Sequence, residues 1–253
     1  VAEEVTRKRF LWAIPIFQSV YPRPFCNFLA MALNAATKVS DRYELCPVIF
    51  EREMLHAAMN RAAQTTLLHN FDGMIVSDDD CFPPFDAIPR LLKHYEDGVE
   101  VVAGLGFMRG FPHTTTIGRY YPEGITLKVD PGTGQPIVSG FEWVEDFSEE
   151  PDGLIKADFC GYPIGMISAS ALLKITQPWF GTEINGGGCT HDVYFGQKAK
   201  DAGIQIYVDR NISCGHLLDA HIITEPNRAI VRNVEARWKA SLKEEIERQK
   251  AAV

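Results

Sequence analysis

Apolar runs and helix-spaced segments alternate along the first hundred positions. Phe10 to Ile16 is almost wholly apolar and reads as a buried strand, with Pro15 near its end, where a missing amide costs least. From Cys26 to Ser40, apolar residues fall at Phe28, Leu29, Met31, Ala32, Leu33 and Ala36, which predicts a helix. Tyr43 to Phe50 is a second strand. Met54 to His69 is a second helix, in which Ala57, Ala58, Ala62 and Ala63 favour the helical state. Met74 to Ser77 is a third strand, Pro89 to Tyr95 a helix with proline in its first turn, and Val99 to Gly104 a fourth strand. This alternation predicts an α/β fold with a mostly parallel central sheet and helices on both faces.

The order breaks at 107–150, a stretch rich in Gly, Pro, Thr and aromatics with strand-like pieces at Thr126 to Val129 and Pro136 to Val144. It reads as a segment inserted over a site. Strand-like runs return at Leu154 to Phe159 and Ile204 to Val208, with a strand or turn leading into a short helix over Gly165 to Ile175. Gly186-Gly187-Gly188 reads as a hinge before a helix from Asp192 to Ala202, which Gly203 stops. Ser213 to Leu217 is a short strand or loop. Val231 to Lys250 is charged and helix-spaced, with a stripe at Val234, Trp238, Leu242 and Ile246 that is expected to pack on the main domain or on a second copy. The expected division is a domain at 1–220 carrying the 107–150 insertion, and a helical extension at 221–253.

Composition narrows the class. At 46% hydrophobic and 23% charged, the 253 residues can fill a large core. A net charge of -8 argues against nucleic acid as a partner. The six cysteines have no C-x-x-C spacing, so reduced thiols are expected and a structural zinc site is not. No apolar run reaches the length of a membrane span and no signal-peptide pattern stands at the start, so a soluble, cytoplasmic protein is expected.

The chemistry concentrates where the third strand ends, at Ser77-Asp78-Asp79-Asp80-Cys81. Crowded carboxylates raise one another's pKa, and a divalent cation with a taste for hard oxygen ligands relieves the repulsion. An acidic turn capping a helix is the plain alternative. The turn after the first strand has no glycine, which speaks against a dinucleotide fingerprint, and the Gly186 triplet precedes no Lys-Ser/Thr pair.

Separated pieces of the chain then line up with one family. Ala13-Ile14-Pro15 ends the first strand, Asn60-Arg61-Ala62 stands on the second helix with Met59 in place of an arginine, and Asp78-Asp79-Asp80 forms a D-x-D motif. Small residues from Cys160-Gly161 to Ser170 follow, then Pro178-Trp179-Phe180, Thr190-His191-Asp192 through Phe195, and Cys214-Gly215-His216-Leu217. Over residues 10–218 the chain resembles the GT-A nucleotide-sugar-dependent glycosyltransferases, especially small bacterial and phage-like members of the large inverting family.

The resemblance implies transfer of a sugar from a nucleoside-diphosphate sugar to a hydroxyl of a glycan, protein or small molecule. It implies Mn2+ or Mg2+ on Asp78, Asp80 and His216, donor contacts from Pro15, Gln18, Asn60, Arg61 and Asp79, and Asp192 as general base. Gly161, Trp179, Phe180 and His191 are expected on the acceptor side. Arg109, Arg119 and Tyr120 are further candidates in the inserted segment. Plainer roles stand beside these: Asp192 as a helix cap, Phe180 as core, Arg61 on a helix surface, His216 as a hydrogen-bonded buried histidine. Retaining transfer, nucleotidyl transfer and non-catalytic nucleotide-sugar or carbohydrate binding are the rival functions. The first-turn composition counts against nucleotidyl transfer.

Overall fold

The computed structural model describes residues 7–16, 21–110, 112–147, 153–218, 221–230, 232–233 and 236–237. The chain begins β1 (Lys8–Ile16), α1 (Pro22–Lys38), β2 (Tyr43–Glu51), α2 (Leu55–Leu68), β3 (Gly73–Ser77), β4 (Cys81–Phe82), α3 (Ala87–Glu96) and β5 (Val101–Leu105). Four short strands follow: β6 (Ile117–Tyr120), β7 (Thr126–Val129), β8 (Pro136–Ser139) and β9 (Phe141–Trp143). Next come β10 (Leu154–Ala157), β11 (Phe159–Cys160), β12 (Ile164–Ser168), α4 (Ala169–Lys174), β13 (Glu183–Ile184) and β14 (Gly187–Gly188). The described chain continues with α5 (His191–Asp201), β15 (Ile206–Ser213), β16 (Gly215–Leu218) and β17 (His221–Ile223).

Seven strands form the central sheet in the order β10-β15-β5-β12-β3-β1-β2. β1 runs parallel to β2 and β3, and β15 parallel to β5, while β12 opposes both β3 and β5 and β10 opposes β15. The expected mostly parallel α/β sheet is therefore present, with β12 and β10 reversed. Every residue of β12 is buried, so its apolar run carried no sign of direction.

Alternate residues of β1 serve opposite faces, as the pleat requires. Phe10 and Trp12 pack with Phe28 and Met31 of α1 and Leu91 of α3, while Leu11 and Ala13 pack with Ala58 and Ala62 of α2 and Phe195 of α5. Phe10 has no exposed surface, and its edge meets Gly73, where a Cβ would lie 2.7 Å from its ring. Only glycine lets β3 come this close to the Phe10 ring.

Helix α1 starts four residues before the expected Cys26, because Pro22 and Pro24 sit in its first turn, where their missing amides have no intrahelical partner to lose. The glycine hinge is corrected. Asn185 and Gly186 take positive φ at a tight turn, and Gly187 and Gly188 pair as β14 with β13 and β8. A Cβ on Gly187 would stand 2.3 Å from Leu127 Cδ2, so close packing accounts for that glycine. β17 pairs with β16 across the expected boundary at 220. The stripe at Val234, Trp238, Leu242 and Ile246 lies outside the described residues. Among those described, no helix is long and apolar enough to cross a membrane, and all six cysteines are free.

The far end of the sheet is held by a buried pair. His94 Nε2 lies 2.8 Å from Asp209 Oδ2, and the Asn211 amide donates to Oδ1 at 2.8 Å. Burial pushes the Asp209 carboxyl up, but the His94 hydrogen bond and the Asn211 amide outweigh it and hold the pKa below the ordinary value. A lowered carboxyl pKa stabilises the fold above the unfolded-state value, and that stabilisation is lost as pH falls through the folded-state value. Asp209→Asn is expected to lower the urea midpoint at neutral pH. The difference from the parent should shrink towards zero below about pH 3. A difference that is constant with pH would remove the ion pair as its cause.

Candidate functional site

The order β2-β1-β3 means that the chain leaves β1 in opposite directions, and ligands of open α/β sheets bind outside the carboxyl ends of strands at such a reversal. Trp12 Nε1 donates to Ser77 Oγ at 2.9 Å, joining the middle of β1 to the end of β3 inside the core. Asp78 follows at once, its amide donating to Pro163 O at 3.2 Å. The chain turns at Asp79 and Asp80 and re-enters as β4, where Cys81 stands opposite His216 of β16. The Leu217 amide donates to Asp80 O at 2.9 Å, so the same hairpin fixes the aspartate turn and the histidine.

His216 Nε2 lies 3.3 Å from Asp80 Oδ2, and Nδ1 lies 2.5 Å from Phe107 O. A carbonyl can only accept, so Nδ1 carries a proton and Nε2 faces the carboxylates. This is how metal-binding histidines are commonly oriented by an outer hydrogen bond. Arg109 Nη1 reaches the same oxygen, Asp80 Oδ2, at 3.3 Å. Burial raises the Asp78 carboxyl, and the charge of Asp80 raises it further. Asp79 is pushed up to about 6 by burial and by Asp80. Burial also raises Asp80, but the His216 hydrogen bond and charge, with Arg109, bring it below its ordinary value. Burial lowers the His216 pKa, and Asp80 reverses that and raises it. Two strained acids beside an acid held by cations are the electrostatics that a further positive charge relaxes.

Ligand atoms of Asp80, Cys81 and His216 all lie within 4.8 Å of one another. This cluster holds Asp80 and His216 of the expected metal set together with Cys81, and Asp78 is not among its atoms. The cause is local, because β4 pairing brings Cys81 opposite His216 while Asp78 stays at the β3 end. Burial keeps the Cys81 thiol far above its usual pKa, and its Sγ donates to Asp80 Oδ1 at 3.6 Å. A protonated thiol is a poor ligand, so the set that fits a hard divalent cation is Asp80 and His216 with a neighbouring carboxylate.

Two clefts meet here. One, of about 450 Å³, is lined by Pro15 and Ile16 of β1, Glu53, Met54 and Leu55 at the start of α2, and Asp78, Asp79 and Asp80. The other, of about 640 Å³, has Met108, Ile137, Val138, Phe141, Trp143 and Asp192 in its walls. Arg109 and His216 line both. Asp192 lies in the first turn of α5, with Thr190 at the N-cap, so the cap role is not its own. Its Oδ1 is buried and accepts no hydrogen bond, and the nearest basic group, His191 Nδ1, is 3.9 Å away. Burial lowers the His191 pKa, with Asp192 opposing, which favours a neutral ring.

Pro15, Asp78, Asp79, Asp80, His216 and Asp192 are thus gathered at the clefts, and Gln18 lies outside the described residues. Several expected contacts are not at the clefts. Trp179 and Phe180 are 3% and 1% exposed, and Phe180 stacks on Phe195 at 4.8 Å, so neither forms an acceptor platform. Asn60 acts as a clamp: its Oδ1 accepts from the Trp179 and Phe180 amides at 3.0 and 3.1 Å, and its Nδ2 donates to Phe180 O at 2.7 Å. Arg61 pairs with Glu53, which lines the first cleft, and lies over the Phe50 ring without lining either cleft itself. Gly161 sits behind Thr116, where a Cβ would meet the threonine at 3.0 Å, and His191 lies beside Phe180 outside the second cleft's lining. Tyr120 is buried, donating to Val193 O at 3.1 Å.

Sequence reasoning missed Cys81, the α2 start and the aromatic wall. The switch-point rule points to the loop after β2 and so to Met54 and Leu55. No comparable signal marks Ile137, Phe141 or Trp143, which come from strands of three or four residues.

No family model and no curated protein matches the sequence. The fold is similar to the crystal structure of A197 from STIV, with a TM-score of 0.57 and 19% identity over 87% of this chain and 91% of that one. A structure of UDP-glucose pyrophosphorylase complexed with UDP-glucose aligns over 92% of this chain and 99% of its own at 8% identity, with a TM-score of 0.45, too low to carry an argument. The first likeness supports the fold alone: a mixed α/β sheet flanked by helices.

Asn60→Ala strips two buried amides and a carbonyl of their partner and is expected to destabilise the protein by about 1–3 kcal/mol. Urea melts check this. An unchanged melt combined with weaker ligand binding in the first cleft would return Asn60 to a donor role.

Proposed function

We propose that this protein transfers a sugar from a nucleoside-diphosphate sugar to an acceptor hydroxyl, with inversion at the anomeric carbon and with Mn2+ or Mg2+ at the aspartate turn. The observation that carries the reading is the meeting of two clefts at Arg109 and His216, with crowded carboxylates lining one and Asp192 lining the other. The first cleft lies at the sheet's reversal point, as nucleotide crevices do. The N-terminus of α2 opens on it with no side-chain cap and no acid in its first turn, which leaves backbone amides for phosphate oxygens.

Asp80 and His216, with Asp79 or Asp78, would hold the cation. When bound, it supplies Lewis-acid stabilisation of the charge that builds on the departing diphosphate. Arg109 adds a positive charge from the protein on the same side. Asp192 accepts the proton of the acceptor hydroxyl as that oxygen forms its bond to the anomeric carbon. The bond from that carbon to the diphosphate oxygen breaks on the opposite face, and the nucleoside diphosphate leaves. His191, kept neutral, does not compete with the acceptor by forming an ion pair with Asp192.

A donor screen read by release of nucleoside diphosphate, with manganese and after chelation, tests the class. Binding of nucleotide-sugars without release or transfer to any acceptor pool would make the protein a binder. Asp80→Ala is expected to abolish metal-dependent donor binding, and His216→Ala to weaken it less. Activity of Asp80→Ala in chelated buffer at the parental level would end the metal assignment.

Asp192→Asn is expected to retain donor binding by calorimetry and to lose transfer by roughly 10²-fold or more. Parental transfer in that variant would exclude Asp192 as the base. Retained anomeric configuration in the parental product would replace inversion by a retaining mechanism.

A further inference from the structure

We infer that the acceptor is an alcohol carried on an apolar body, such as an alkyl or aryl chain, and not a free oligosaccharide. This deepens the proposed reaction and rests on it for the role of Asp192, while the fit of the apolar body rests on the cleft alone. The second cleft is chemically divided. Met108, Ile137, Val138, Phe141, Trp143 and Val193 make its walls, and Arg109, Thr116, Thr190, Asp192 and His216 supply its polar groups. Asp192 is the one carboxylate in this lining, and a single hydroxyl satisfies it.

A saccharide brings a hydroxyl on nearly every carbon, and each one buried against methyl, thioether or ring edge goes unpaired at a cost in affinity. The aromatic part of the wall is also not one flat platform. The rings of Phe141 and Trp143 meet at 78° with centroids 5.3 Å apart, and both stand edge-on to Phe159. Such a corrugated surface suits alkyl or aryl groups that pack into angles. A volume of about 640 Å³ leaves room for a body well beyond the reacting hydroxyl.

The test uses the full chain with a homologous series of primary n-alkanols, aryl alcohols of increasing size, and a free disaccharide and trisaccharide. Displacement of an environment-sensitive apolar dye reports binding with no donor present. Product formation with the preferred donor and manganese reports kcat/KM. Binding and kcat/KM are expected to rise about three- to fourfold per methylene until the cleft is filled. Ile137→Asn and Met108→Gln are each expected to flatten that slope, and two variants guard against one failing to fold.

Absence of a chain-length slope in the parent, slopes unchanged in both folded variants, or a saccharide that outcompetes the alcohols would overturn the inference. Chain-length-dependent binding with no donor turnover would sink the proposed transfer and leave the apolar cleft standing. Donor turnover with a saccharide preference would do the reverse.

Discussion

Three consecutive carboxylates at the end of a buried strand repel one another, and the site is built around that repulsion. Asp78 and Asp79 have raised pKa values, while Asp80 is held ionised by His216 and Arg109. Neither cation comes from a nearby part of the sequence. His216 arrives on the late β16 hairpin, and Arg109 follows β5. The turn therefore ties the beginning, middle and end of the described chain to one point. The Phe107 carbonyl orients His216, so even the second cation's own segment helps to aim the first.

The sheet makes that point rigid. Trp12 and Ser77 fasten β1 to β3 immediately before the acids, and β12 flanks β3 on its other side with every residue buried. An apolar frame of this kind has little freedom to relax when charge gathers at its edge. Relief comes from protonation of Asp78 and Asp79 or from added positive charge. The oriented Nε2 of His216 and the nearby carboxylates are ready to receive it without rebuilding the strands.

Much of this was legible in the sequence, for physical reasons that also mark its limits. Strands β1, β3 and β5 are buried on both faces, so their apolar runs stand out, and Asp78 to Asp80 mark where one of them meets solvent. The direction of β12 was hidden because a uniformly apolar strand looks the same either way. Trp179 and Phe180 were misplaced because an aromatic pair in a motif reads equally as sugar platform or as core, and only the Asn60 clamp and the Phe195 stack decide between them. Gly187 looked like part of a hinge because a glycine run carries no record of the side chain packed over it. Cys81 joined the ligand cluster through a register between β4 and β16, a pairing with no local sequence mark.

The two clefts differ in how their chemistry is supplied. The aspartate side draws its polar groups from the ends of long core strands and the start of α2, where backbone position is tightly set. The Asp192 side draws its walls from strands of three or four residues held by Phe159, whose ring sits against Gly118 and meets Phe141, Trp143 and Tyr120. A Cβ on Gly118 would come within 2.0 Å of that ring, so the wall is packed around a single phenylalanine. Substitutions in the small sheets can thus reshape the apolar wall while the aspartate turn stays fixed by the central sheet. Within this architecture, the placement of charge is a property of the sheet, and the shape offered to the second ligand is a property of the short strands laid over it.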